Sequence, residues 1–71
     1  MNRGVIVMTF LGLTQVAVEK VLAFGWTEVQ GDVERMRLVL EDVNKTCGLD
    51  GSLLKAFDIE VDTAIRERNG R

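Results

Sequence analysis

The side chains able to carry out chemistry in this chain are few and of narrow type. It has no histidine, no tyrosine and a single cysteine, Cys47, so acid–base or nucleophilic work would fall to Asp, Glu, Lys, Ser and Thr. The carboxylates are spaced as on solvated helix faces. Asp58 and Asp62 are four residues apart, and Arg66, four further on, relieves their repulsion by pairing with Asp62. Cys47 ends a helical pattern, where the helix dipole disfavours a thiolate, and is expected to be a buried structural thiol. One cysteine without histidine leaves no His/Cys zinc site. Asp42, Asn44 and Thr46 copy the first three ligand positions of a calcium loop. The sixth position, which must be glycine, is Cys47, and the twelfth, which must be glutamate, is Leu53. The glycines never fall into a phosphate-cradling spacing. The expectation is a non-enzyme with no cofactor and no metal.

Size bounds what can position any site. Seventy-one residues make one small domain with a thin core, and neither a disulfide nor a zinc can brace it, so self-association is the remaining support. With 46% apolar residues there is more hydrophobic surface than so small a volume hides, which again points to a homodimer. Net charge is −2 and the basic residues are scattered singly, so a nucleic-acid partner is not expected. The N-terminus, with Arg3 ahead of the apolar Gly4 to Leu13, has the outline of a secretory signal. It runs on through Thr14, Gln15, Glu19 and Lys20 without a small-x-small cleavage site. The uninterrupted apolar run also falls short of the ~20 residues that cross a bilayer. A cytoplasmic location is expected, in keeping with the lone cysteine, and a membrane partner is not.

With no proline in the chain, glycines and polar caps provide the punctuation. A helix is predicted from Asp32 to Cys47, with Asp32 as N-cap, Gly48 as stop and a seam of Val33, Met36, Leu40, Val43 and Cys47, widened by Val39. A second runs from about Ser52 to Arg68, capped by Ser52 or Asp50, with Leu53, Leu54, Phe57, Val61, Ala64 and Ile65 in an arc of roughly 120°. The short link 48–51 makes these an antiparallel hairpin whose seams should face each other. From Thr14 to Phe24 the pattern is helical but apolar on most sides. Gly4 to Phe10 reads as the opening of that helix or as a short strand needing a second chain. The fold expected is all-α, a three-helix arrangement of an apolar N-terminal helix and a helical hairpin. It forms a single domain, residues 1–30 being the apolar segment and connection and residues 31–71 the hairpin.

Apolar residues stand where a monomer has no use for them. Leu38 and Ile59 lie opposite their helices' seams, and Trp26 sits in a glycine-flanked connection, where an amphipathic ring can anchor a partner. With Phe10 and Leu22 of the apolar first third, they are the candidate partner-binding residues. The function this implies is non-catalytic: regulating, inhibiting or tethering a larger protein. Two alternatives remain. Leu13-Thr14-Gln15 followed by Val-Ala-Val-Glu-Lys resembles the opening of many repressor helices, but the turn glycine is not at the usual offset. A DNA-binding dimer would have to gather Arg3, Lys20, Arg66, Arg68 and Arg71 on one face. A membrane-associated protein would use residues 3–13.

Overall fold

The computed structural model describes residues 2–70, which form α1 (Arg3–Phe24), α2 (Trp26–Thr46) and α3 (Ser52–Asn69), with no strand among them. The all-α, three-helix reading is the fold. Residues 4–11 are helix, not strand. Asn2 opens α1, its side-chain oxygen accepting from the N–H of Val5 at 2.9 Å, so one of the first turn's free donors is satisfied. Backbone hydrogen bonding then overrides the β-branched composition of the first turns.

The link between α1 and α2 is one residue. Gly25 has φ 88° and ψ 154°, a conformation essentially reserved for glycine, and its N–H donates to the carbonyl of Val21 at 2.8 Å. Hence α2 begins six residues before the expected cap. Trp26 is its first residue instead of a loop anchor, and Asp32 and Gly31 lie in its interior. The exposed Asp32 carboxylate meets Lys20 of α1 at 3.5 Å. At the other end the Gly48 expectation holds. Cys47 is the C-cap, Gly48 has φ 64°, Gly48 N–H reaches Lys45 O at 3.2 Å and Leu49 N–H reaches Asn44 O at 2.9 Å. That pair of bonds is a Schellman motif, and Leu49 closes it by packing on the core. The N-cap of α3 is Gly51 instead of Ser52 or Asp50, although the Asp50 carboxylate accepts from the Ser52 N–H at 2.9 Å.

The helices lie lengthwise in a bundle of 39 × 18 × 16 Å. Lys20 near the end of α1 meets Asp32 near the start of α2, so these two are antiparallel. Arg68 at the end of α3 donates to the carbonyl of Leu22 at 2.6 Å, so α1 and α3 run the same way. The guanidinium also supplies the cation that the last turn of α1 lacks. The core is Ile6, Phe10, Ala17 and Val21 of α1, Val29, Val33 and Leu40 of α2, and Phe57, Val61 and Ala64 of α3. α1 packs most closely on α3, less on α2, and α2 on α3 least. The two hairpin seams therefore converge on α1 more than they face each other. The expected seam residues are all buried or packed on the core, except that Val39 is exposed.

Candidate partner-binding surface

The surface that lacks an internal explanation belongs to α1. At 100° per residue, Ile6, Phe10, Ala17 and Val21 share one face, and Val5, Met8, Gly12 and Val16 share the opposite one. Val5, Met8, Leu11 and Val16 are exposed, Met8 to 73%. An ordinary amphipathic helix would be polar there. Beside this face, between α1 and α3, runs an open groove of about 570 Å³ lined by Phe10, Leu11, Val18, Leu53 and Ala56, with Glu60 at its rim. Strip and groove are continuous through Leu11.

The anticipated binding residues are not brought together. Phe10 is 1% exposed and belongs to the core, so it borders the groove as a buried side chain and not as an exposed contact. Its neighbours at positions 6, 17 and 21 turn the same way, and within the apolar first three turns no charged residue after Arg3 marks the outer side, which Gln15 and Glu19 mark only further along the helix. Leu22 is half-buried against the core. Trp26 is also half-buried, over a shallow site shared with Val33, Phe57, Val61 and Ile65. Leu38 and Ile59 are exposed, as their off-seam positions imply, but on different helices. Sequence reasoning missed Met8 and Leu11. The signal that could have found them was the narrow wet face of Gln15 and Glu19, which at 100° per residue falls on the same side as Met8 and opposite Ile6 and Ala17.

The charged groups are arranged as ties between or along helices. Arg37 of α2 holds Asp58 of α3 and also Glu41, and Arg66 pairs with Asp62 as its spacing implied. The Arg37 pKa is raised, first by the hydrogen bond to Asp58. Asp50 titrates below the ordinary carboxylate range, chiefly because the Ser52 backbone N–H stabilises its charged form. Cys47 is half-buried at the end of α2, and Asn44 Oδ1 is buried without a partner. No group of three or more Cys, Asp or Glu side chains stands together as metal ligands among the described residues. Of the cations a DNA-binding reading would gather, Lys20, Arg66 and Arg68 are engaged by Asp32, Asp62 and the Leu22 carbonyl. Arg3 lies near Asp50, and Arg71 is outside the described residues.

The apolar run that looked too short to span a bilayer is part of one continuous 22-residue helix. By length and composition, α1 is sufficient to cross a membrane. No protein family matches the chain, and neither a curated protein nor a solved structure does.

Proposed function

We propose that this chain is a non-catalytic interaction protein that regulates, inhibits or tethers a protein partner, with the outer face of α1 as its docking surface. One observation carries the reading: Val5, Met8, Leu11 and Val16 form an exposed apolar face on a helix whose other side is fully committed to the core. Exposed apolar surface concentrated on one element is what protein contacts use. The pairing of Lys20, Arg66 and Arg68 with their own chain argues against a phosphate backbone as the occupant.

The length of α1 favours a second reading, in which the helix leaves the bundle and enters a bilayer. The bundle opposes it. Insertion would strip Phe10, Ala17 and Val21 from α2 and α3 and dissolve the core.

A photo-crosslinking residue placed at position 15, on the outer face, decides between these. The protein reading expects polypeptide adducts from position 15 and none from position 45 on the charged side of α2. Lipid adducts, or equal labelling from both positions, would overturn it.

A further inference from the structure

The occupant can be named more closely, on the strength of the docking face just proposed. We infer that it is a second copy of this chain, its α1 laid antiparallel across the first, with the two helices crossing at Gly12.

Gly12 is the first ground. It sits in the middle of α1, exposed, and a Cβ built on it meets nothing within 4 Å. Nothing in the monomer requires glycine there, and alanine would serve the helix better. A second helix gives it a use, since interaxial distance is set by the side chains at the crossing and a glycine there permits the closest approach. Gly31 is equally open, but it lies beside Asp32, Glu34 and Arg35, and no apolar strip runs through it.

Charge selects the direction. Along the strip from Val5 to Glu19, about 21 Å at helical rise, Glu19 is the one charged side chain, held by Gln15 at 3.3 Å. The first turn of α1 carries no acidic residue to meet its own positive dipole end. An antiparallel crossing at Gly12 sets each position opposite the one whose number completes 24. Met8 then packs against Val16 of the copy, and Glu19 lies beside Val5 at the copy's N-terminal turn, where an anion is favoured. A parallel pairing would set Glu19 against Glu19.

Shape is the third ground. The accessible surface is 4898 Å², against about 4,400 Å² for a compact 7.9 kDa monomer. The radius of gyration is 12.3 Å, against about 11 Å. The surplus is that of a rod-like molecule, and lateral pairing would bury part of it.

Light scattering of the full chain across a dilution series reads the assembly, and should give twice the 7.9 kDa chain mass at high concentration. Gly12→Leu should be monomeric with its helical circular dichroism intact, because position 12 is exposed and a Cβ there meets nothing within 4 Å in the monomer. Glu19→Gln should raise the dimer dissociation constant about 3- to 30-fold at low salt, from two lost dipole contacts. In a parallel dimer it would lower it. In a Cys47→Ser background, chains carrying Met8→Cys mixed with chains carrying Val16→Cys should form the mixed disulfide in preference to either homodisulfide. A concentration-independent monomer, a tighter Glu19→Gln dimer, or preferred 8–8 disulfides would each overturn the inference. If the wild type is monomeric while position 15 still crosslinks a polypeptide of another mass, self-pairing fails alone. If position 15 crosslinks no polypeptide, both readings fail.

Discussion

The guanidinium of Arg37 on α2 grips the carboxylate of Asp58 on α3 with two roughly parallel hydrogen bonds, Nε to Oδ1 at 2.7 Å and Nη2 to Oδ2 at 2.9 Å. The pair spans the weakest of the three helix contacts. Its side chains remain 38% and 45% exposed, so solvent screening discounts it to the scale of a good surface ion pair, about 0.5–1 kcal/mol. Arg37→Lys keeps the charge but not the planar fork, and should lose most of that amount. Denaturant unfolding of Arg37→Lys, Asp58→Asn and the double variant tests this. A coupling energy indistinguishable from zero would show that the fork holds nothing together.

Phe10 and Phe57 are the largest side chains in a core drawn from all three helices. Truncating either leaves a cavity that so small a domain cannot repack, at about 3–5 kcal/mol. Against the modest stability expected of this size, Phe10→Ala should abolish the cooperative thermal transition. Trp26→Ala should cost less, because the ring is half-buried. Leu38→Glu and Ile59→Glu, on exposed positions, should fall within about 0.5 kcal/mol of wild type. A cooperative Phe10→Ala protein would mean that α1 is not integral to the core.

Helical period was legible wherever a helix keeps a wet face. Leu40, Phe57 and Val61 could be assigned to seams because Lys45, Asp58 and Asp62 marked the other side, and Leu38 and Ile59 could be seen to violate it. In α1 the contrast is confined to Gln15, Glu19 and Lys20 in its second half, so the sequence of its first three turns reveals neither their helical state nor that Phe10 is buried and Met8 exposed. The start of α2 was misplaced for another reason. Asp32 after Gly31 has the form of a cap, whereas the actual break falls at Gly25, one of seven glycines in the chain, and only its backbone conformation sets it apart from the others. Arg68 on the Leu22 carbonyl and Arg37 on Asp58 join residues 46 and 21 positions apart, and contacts of that span have no local pattern.

Acid should act on the link between α2 and α3. The folded pKa of Asp50 is depressed, chiefly by the Ser52 backbone N–H, with the Ser52 hydroxyl and the charge of Arg3 adding to it. The unfolded state therefore takes up the proton first. The stabilisation is fully present above the ordinary carboxylate pKa of about 3.9 and is lost as pH falls through the lower folded value. NMR titration of the side-chain carboxyls should place Asp50 below that ordinary value. Asp50→Asn should show a shallower loss of stability on acidification. An Asp50 titrating at or above the unperturbed value would remove the turn from the acid response.

Gly25 and Gly31 should respond to alanine in opposite directions. Gly25 has a positive φ with extended ψ, and a Cβ there would stand 3.0 Å from Nε of Arg68, the side chain that caps α1 through the Leu22 carbonyl. Alanine must strain the backbone and displace that cap, at about 1–3 kcal/mol. Gly31 lies inside α2 with open space around its missing Cβ, so alanine relieves only the entropic cost of helical glycine, a gain of about 0.5–1 kcal/mol. Arg68→Ala separates the two components of the first effect, because it removes the cap and the close contact at Nε together. Gly25→Ala in that background should cost only the backbone strain. Denaturant midpoints of the four variants measure this. Equal effects at the two glycines would show that the one-residue turn does not fix the angle between α1 and α2.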